Sequence, residues 1–355
     1  MVHAQPWGQR RLLAISAGLV CGLAGLTGCG STQPGGDKAG TAAGQSQELL
    51  LVSYAVTKSA YDRILPLFEA DWKAKTGQTL RVKTSFGGSG SQTRAVIDGL
   101  EADVVGLALG GDVLKIQQAG LIEPGWQQEL PQNATITHSV VALITRPGNP
   151  KGINNWPDLA KPGVKVVTAN PKTSGGARWN LLALWGSVTQ NGGSQAQARG
   201  FLSQVYGNVE SLPRDAREAS DVFLKRGLGD VLLNYENEAI QARKNGELKQ
   251  PFVVPELNIR IDGPIAVVDR NVEKHGSRKA AEALAAYLQS EQAQQIFAEE
   301  GFRPVNATVW NKVKGGFATV KQLFSVEDFG GWKQVNTTFF ADGGIWDQLF
   351  KQRRS

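Results

Sequence analysis

The chain has 355 residues, of which 41% are hydrophobic and 20% charged, and its formal net charge is +6. This length predicts about two domains with substantial cores, and the ordinary apolar content excludes a disordered chain, collagen and a coiled coil. The basic residues are spread over the whole sequence without the Lys/Arg blocks that follow a phosphate backbone, so we expect no nucleic-acid partner.

The N-terminal segment has the pattern of an export signal. Arg10 and Arg11 precede an apolar run over residues 12–26, which is shorter than the about 20 residues that a membrane-spanning helix needs. The run ends in Leu26-Thr27-Gly28-Cys29, which resembles a bacterial lipobox, in which the cysteine is lipidated and becomes the mature N-terminus. The alternative is an ordinary secretory signal with a chance cysteine. We predict a lipoprotein signal peptide over residues 1–28 and lipidation of Cys29.

The segment after the leader, residues 29–47, contains no bulky apolar side chain. Such a segment cannot bury enough surface to offset the entropy of ordering it, so the sequence predicts a flexible tether. Leader and tether together predict a body that is anchored by lipid outside the cytoplasmic membrane.

From Glu48 onward, short apolar runs alternate with helical patterns. The predicted strands cover residues 49–53, 80–84, 103–109, 140–145, 164–169, 230–234 and 264–268. The predicted helices include residues 58–76, 92–100, 177–185 and 279–300; Pro66 should kink or restart the first, and Gly77, Gly120 and Gly301 should end three helices. Several strands are continuous apolar runs, which is typical of strands covered on both faces. The alternation predicts an α/β fold with parallel-rich sheets flanked by helices.

The strand-to-helix junctions are the candidate binding sites, because ligands of α/β folds bind beyond the carboxyl ends of strands. Three junctions stand out: FGGSGSQ (86–92), NPKTSGGARW (170–179) and PRDAREAS (213–220). A helix N-terminus offers unpaired N–H groups and a partial positive charge, glycine lets an anion approach the backbone, and serine adds a hydroxyl. One such turn is usually only a cap; two in one chain leave both interpretations open, an anion site or two ordinary caps. The sequence lacks the P-loop and dinucleotide-binding spacings, so nucleotide binding is not supported.

An enzyme is disfavoured by the same residues. Ser89 and Ser174 are of a nucleophilic type, but hydrolysis by a sulfatase or phosphatase also needs a base or metal ions. The three histidines lie far from both motifs, the carboxylates are scattered, and the only cysteines are Cys21 and Cys29. The sequence therefore predicts no metal and no cofactor.

In their order along the chain, these residues resemble the periplasmic sulfate-binding proteins, the solute receptors of sulfate/thiosulfate ABC importers. The matching segments are VSY (52–54), GGSG (87–90), IDGLEAD (97–103), RPGNPK (146–151), NPKTSGGARWN (170–180), RGLGDVL (226–232), FGGW (329–332) and GG (343–344). The resemblance runs from about residue 48 to residue 349, and NPKTSGGARWN is long and specific.

The resemblance implies a two-lobed periplasmic binding protein of type II with its ligand cleft between the lobes. Lobe I is expected at residues 48–135 and 262–355, and lobe II at residues 136–261. The implied function is to capture one dehydrated sulfate or thiosulfate ion in the periplasm, as a monomer, and to deliver it to the permease of an ABC importer. A lipoprotein that senses the anion for a membrane partner is the alternative from another class.

The resemblance also implies the ligand-binding residues. Hydroxyl and backbone N–H donors map onto Ala55, Ser89, Ser174, Gly175, Gly176 and Ala216, and the tryptophan indole donor of sulfate binders maps onto Tyr235. We expect Arg178 and Arg217 behind these donors, holding loops or pairing with acids.

Two departures from the family pattern bear on the ligand. Ala55 replaces an acidic residue, which is harmless if only its N–H is used. Tyr235 exchanges an indole N–H for a phenol, which leaves the choice between sulfate and thiosulfate open.

A cleft that contains only donors selects sulfate over hydrogen phosphate, because every sulfate oxygen accepts whereas a phosphate O–H would stay unpaired. Asp215 is the one carboxylate that could accept that O–H. We expect it to face solvent or to pair with Arg214 or Arg217.

Overall fold

The computed structural model describes residues 46–354. The predicted signal peptide, nearly all of the predicted tether and Cys29 lie outside the described residues. Among residues 46–354, every helix is too short or too polar to cross a bilayer.

Strands and helices alternate along most of the described chain. The strands are β1 (Gln47–Tyr54), β2 (Leu80–Gly87), β3 (Val104–Gly106), β4 (Thr135–Ser139), β5 (Val141–Thr145), β6 (Val166–Val167), β7 (Val209–Ser211), β8 (Val231–Tyr235), β9 (Leu257–Ile259), β10 (Ile261–Val267), β11 (Arg303–Pro304) and β12 (Gln322–Phe324). The helices are α1 (Lys58–Thr76), α2 (Ser89–Ile97), α3 (Gly110–Gln118), α4 (Gly175–Thr189), α5 (Gln195–Gly207), α6 (Ala216–Leu224), α7 (Glu236–Lys244), α8 (Asp269–His275), α9 (Arg278–Tyr287), α10 (Glu291–Glu299), α11 (Ala307–Val313), α12 (Gly331–Val335) and α13 (Ile345–Arg354). Short 3-10 turns include Ala55–Thr57, which leads from β1 into α1.

The strands form two main sheets. A six-stranded sheet has the order β11-β4-β10-β3-β1-β2, and a four-stranded sheet has the order β5-β8-β6-β7; β9 and β12 pair separately. Strand β1 runs parallel to β2 and β3, and β6 runs parallel to β7 and β8. Antiparallel strands β4, β5, β10 and β11 complete the sheets where the chain passes from one to the other. The predicted α/β class is confirmed, and the parallel strands β2, β6 and β7 precede the three predicted junctions.

Helix α4 lies in the interior, which explains its sequence. Its residues from Gly175 to Gly186 are all buried, and this run of 12 residues covers every face of the helix. A helix that is apolar all round must be covered on every face. The aromatic rings of the C-terminal segment supply part of that cover, because Trp185 packs edge-on against Phe339 at 5.1 Å between centroids.

Two predicted helices differ in the structure. Helix α1 continues through Pro66 instead of restarting, because Pro66 is exposed and water can satisfy the carbonyl that loses its partner. The predicted helix 279–300 is broken into α9 and α10, since the Ser290 hydroxyl accepts from Ala293 N at 3.3 Å and caps a new helix. The glycines predicted to end helices, Gly77, Gly120 and Gly301, all have positive φ, as the prediction requires.

Candidate anion-binding site

A small cavity lies where helices from both sheets begin. Its volume is about 10 Å³, and its lining residues are Tyr54, Ala55, Val56, Gly87, Gly88, Ser89, Ala108, Ser174, Gly175, Gly176, Asp215, Ala216 and Tyr235. Drug-sized ligands occupy pockets of about 300–1,000 Å³, so this cavity suits a smaller molecule or ion. The structure brings together every residue that the sequence analysis predicted to bind the ligand.

Helix starts surround this cavity. Ala55 opens the 3-10 turn that leads into α1, Ser89 is the first residue of α2, Gly175 of α4 and Ala216 of α6, while Tyr235 directly precedes α7. The first N–H groups of a helix have no acceptor within it, and they carry the positive end of the helix dipole. These backbone groups therefore direct partial positive charges toward the cavity.

Ser174 can both cap a helix and donate to a ligand. Its hydroxyl oxygen accepts from Ala177 N at 3.3 Å at the start of α4, and the residue is buried. A serine hydroxyl has one hydrogen and two lone pairs. The cap uses a lone pair, so the hydrogen remains available to an anion in the cavity.

The Ser89 hydroxyl is hydrogen-bonded to other groups of the protein in this structure. It donates to Asp112 Oδ2 at 2.8 Å and accepts from Ala108 N at 3.1 Å. Its single hydrogen is therefore bound to Asp112, and the predicted donation of this hydroxyl to the ligand stays a prediction. As the first residue of α2, Ser89 also presents a backbone N–H at the helix N-terminus.

Asp112 is fully buried but ionised. Burial alone would raise the pKa of Asp112, yet the charges of Arg178 at 3.3 Å and Lys115 at 3.0 Å, with the Ser89 hydrogen bond, hold that pKa below its usual value. Sequence analysis missed this residue. The Gly110-Gly111 pair after a predicted strand was the available signal, since it repeats the glycine pattern of the other junctions.

Tyr235 presents a free hydroxyl. The side chain is 2% exposed, and within the described part of the chain its Oη atom has no hydrogen-bond partner. Burial raises the pKa of Tyr235 well above its ordinary value, so the hydroxyl keeps its hydrogen. A buried hydroxyl without a partner costs free energy, which a ligand in the cavity would recover.

The glycines of α4 allow the close approach of neighbouring segments. A Cβ atom on Gly175 would lie 2.6 Å from Ala108 Cβ, and one on Gly176 would lie 2.7 Å from Cε2 of Tyr235. Both distances are too short for real side chains. Only glycine fits here.

Arg178 and Arg217, the two arginines expected behind the donors, lie outside the cavity lining. Arg178 donates to Pro171 O at 2.9 Å and to Asp112, and Arg217 binds Glu238 at 2.8 Å and Gln241 at 2.6 Å. Neither lines the cavity. Within residues 46–354, the lining contains no lysine, arginine or histidine.

Asp215 is the one charged lining residue. It does not face solvent: it is 7% exposed, and its Oδ1 atom caps α6 by accepting from Glu218 N at 2.9 Å. Its Oδ2 atom lies 3.7 Å from Arg214 Nε, so the expected pairing with Arg214 is present. The cavity lining thus contains one carboxylate, which already accepts a hydrogen bond and pairs with an arginine.

Residues 49–303 match the family of bacterial extracellular solute-binding proteins. The chain belongs to this family. The sulfate-binding protein of Synechococcus elongatus is 53% identical to this solute-binding protein over 347 residues, which cover 97% of each chain. The thiosulfate-binding protein of Pseudomonas aeruginosa is 41% identical over 314 residues, which cover 88% of this chain and 94% of that one.

Solved structures agree with the fold. The sulfate-binding protein SubI from Mycobacterium tuberculosis is 34% identical, with a TM-score of 0.76, and the match covers 83% of this solute-binding protein and 99% of SubI. The periplasmic thiamin binding protein shares the fold alone, at 14% identity and a TM-score of 0.66. The predicted family and the type II binding-protein fold are confirmed.

Proposed function

We propose that this solute-binding protein captures a sulfate ion in the cavity and delivers it to the permease subunits of an ABC importer. The main evidence is that several helices begin at one small cavity. Among the described residues, the lining of this cavity has no basic side chain. The sulfate-binding relatives at 53% and 34% identity support the choice of ion.

The proposed donors are backbone N–H groups and hydroxyls. They are the N–H groups of Ala55, Ser89, Gly175, Gly176 and Ala216 and the hydroxyls of Ser174 and Tyr235. Charge-assisted hydrogen bonds contribute about 1.5–3 kcal/mol each. About six such bonds together contribute more than the roughly 8 kcal/mol that corresponds to a micromolar Kd. The excess free energy can offset the costs of desolvation and lobe closure.

Selectivity against phosphate follows from the donor-rich lining. Sulfate is fully deprotonated near neutral pH, whereas hydrogen phosphate keeps an O–H that needs an acceptor. The Asp215 carboxylate already accepts from the first turn of α6 and pairs with Arg214. An O–H without an acceptor costs about 1–3 kcal/mol in a buried site, so phosphate should bind more weakly.

Thiosulfate is the second candidate ligand, and Tyr235 is the residue that favours it. The phenol hydroxyl is an unpaired donor beside Gly176, and the relative from Pseudomonas aeruginosa is a thiosulfate-binding protein. Replacement of Tyr235 with Phe removes the donor without removing the ring. We expect Y235F to weaken the binding of whichever anion contacts the hydroxyl by about 1 kcal/mol, or roughly fivefold.

The binding cleft of this proposal lies between two lobes, residues 48–135 with 262–355 and residues 136–261. The six-stranded and four-stranded sheets support this division, since the chain passes between them near Val140 and Arg260. The segment from β12 onward also packs on the second lobe, where Trp346 lies edge-on to Tyr206 at 5.2 Å between centroids.

We further propose that the protein works as a monomeric lipoprotein without catalytic activity, held at the periplasmic face of the membrane through Cys29. The support is the lipobox-like sequence and the extracellular family. Metabolic labelling with a palmitate analogue tests the anchor: the wild type should be labelled and the variant C29S should not.

Calorimetric titration tests the ligand. Sulfate and thiosulfate should bind the purified protein with micromolar or lower Kd, phosphate at about pH 7 should bind far more weakly, and chloride should give no heat. Trp179 provides a second signal, because it is fully buried on α4 and its Nε1 donates to Ala108 O at 2.7 Å beside the cavity. Equal binding of phosphate and sulfate would refute the selectivity argument.

A further inference from the structure

A buried asparagine behind the cavity makes contacts to two of the proposed donors. Asn234 lies on β8 and is 1% exposed. Its side-chain nitrogen donates to Ala216 O at 2.8 Å and to Ser220 Oγ at 3.0 Å. Its side-chain oxygen accepts from Tyr235 N at 2.9 Å. Both amide hydrogens and the oxygen are thus used.

These contacts join the starts of α6 and α7, which Ser220 and Arg217 of α6 also link through Glu238 of α7. Ala216 opens α6, and Tyr235 precedes α7 on the next strand. Both residues line the cavity, but Asn234 does not. One amide therefore sets the spacing between a backbone donor and a hydroxyl donor that come from different elements.

We propose that Asn234 is a positioning residue for anion binding, which holds Ala216 and Tyr235 at the separation that the ion requires. The inference rests on the proposed function. An amide that donates to the Ala216 carbonyl fixes the first turn of α6, from which the Ala216 N–H is presented. The same amide accepts from Tyr235 N and so fixes the backbone from which the phenol projects into the cavity.

A buried chain of hydrogen bonds fixes Asn234 in turn. Ser220 Oγ donates to Glu238 Oε2 at 2.6 Å, and Arg217 pairs with Glu238 Oε1 at 2.8 Å. Ser220 has one hydrogen, which goes to Glu238, so its oxygen must accept from Asn234. This fixes the amide orientation: nitrogen toward Ala216 and Ser220, oxygen toward Tyr235.

The substitution Asn234→Asp tests the role, because it keeps the shape and the acceptor for Tyr235 N but removes both amide hydrogens. We expect the sulfate Kd at about pH 8 to rise about tenfold or more. Burial raises the pKa of such a carboxyl, and the protonated form regains one O–H donor. The Kd should therefore fall back toward the wild-type value as the pH is lowered to about 5.

Asn258→Asp is the matched control. Asn258 is fully buried, donates to Val141 O at 2.9 Å and Pro255 O at 3.3 Å, and accepts from Ile259 N at 2.9 Å, but these partners lie outside the cavity lining. N258D should lose comparable stability yet keep the sulfate Kd within about twofold of the wild type at both pH values. A merely structural role for Asn234 would instead give the two variants the same affinities.

Uncharged variants provide the test if a buried aspartate prevents folding. Ser at position 234 is too short to reach Ala216 O, so N234S should raise the sulfate Kd while N258S leaves it unchanged. The inference is overturned if N234D or N234S binds sulfate as tightly as the wild type, or if the Asn258 variants lose as much affinity. Failure of the wild type to bind sulfate would instead refute the proposed function.

Discussion

At the scale of single residues, the site depends on where each hydrogen atom is directed. Ser174 and Ser89 look alike in the sequence, each beside glycines at a junction, yet their hydroxyls differ in the structure. The Ser174 hydroxyl accepts from a backbone N–H and keeps its hydrogen for the cavity, whereas the Ser89 hydroxyl gives its hydrogen to Asp112. We therefore expect Ser174 to contribute more to anion affinity through its side chain.

Replacement of Ser174 with Ala should weaken sulfate binding by about 1–2 kcal/mol, or roughly five- to thirtyfold in Kd, because a charge-assisted hydrogen bond is lost. The variant also loses a helix cap, so stability must be measured beside affinity by thermal unfolding and calorimetry. Ser194→Ala is the matched control, since Ser194 caps α5 by accepting from Gln197 N at 3.2 Å, away from the cavity lining. S194A should lose stability but not affinity; equal affinity losses would contradict the assignment.

Replacement of Asp215 with Asn should strengthen sulfate binding. Asparagine caps helices as well as aspartate does, so the first turn of α6 is preserved while a like charge beside the anion is removed. Loss of a repulsion on the order of 1 kcal/mol gives a roughly fivefold lower Kd, measured by calorimetry at low ionic strength. Unchanged affinity would mean that Arg214 already neutralises this carboxylate.

At the scale of elements, the junctions can form one candidate site because separate helices begin within a few ångströms of each other. Two hydrogen bonds connect α2 to the loop before α4: Gly90 N donates to Thr173 O at 3.0 Å, and the Arg94 side chain donates to Lys172 O at 3.1 Å. The start of α2 thus lies directly against the loop before α4. Such contact requires residues without side chains at the closest points.

Replacement of Gly175 with Ala should abolish this contact. The new Cβ would lie 2.6 Å from Ala108 Cβ and 3.1 Å from Ser89 Cβ, so α4 must move away from α2. We expect the sulfate Kd to rise by about a hundredfold or more, since several donors are displaced together. Gly200→Ala is the control, because a Cβ there meets nothing within 4 Å, and its added helix propensity should stabilise α5 slightly. Normal binding by G175A would show that the segments can separate without cost.

At the scale of the whole molecule, long-range polar contacts hold the elements of the six-stranded sheet together, far from the cavity. His275 at the end of α8 lies 2.8 Å from Asp103 Oδ1 and 3.1 Å from Glu101 Oε2, both of which precede β3. The hydrogen bonds to Asp103 and Glu101 raise the pKa of His275, although burial opposes them. Lys274 also pairs with Glu101.

This raised pKa predicts a pH dependence of stability. Because the pKa of His275 is higher in the folded than in the unfolded chain, its contribution is complete below the ordinary pKa of about 6.5 and is lost as the pH rises through the folded value. The free energy of unfolding should fall over that range. Denaturant titrations should show that H275Q lacks this component, with sulfate affinity unchanged; an identical pH profile in the variant would contradict the assignment.

The sequence by itself determined the α/β class, and it predicted an anion site at strand-to-helix junctions, whose seven proposed binding residues all line one cavity in the structure. This was possible because apolar runs, glycines and caps act locally, and NPKTSGGARWN carries a family pattern over one continuous segment. Local rules also explain the errors: nothing near Ser290 in the sequence outweighed the helical pattern around it, and the exposure of Pro66 depends on which face of α1 is covered.

Only the tertiary structure decided which hydrogen atoms reach the cavity. Asp112 takes the Ser89 hydrogen, Asn234 joins two helix starts, and Asp215 is buried at the start of α6. The pairs Ser89–Asp112 and Asn234–Ala216 are 23 and 18 residues apart in the chain, so no local spacing or periodicity specifies them. Hydrogen-bond direction is fixed by the arrangement in space of donors and acceptors, and that arrangement exists only once the sheets and helices have packed.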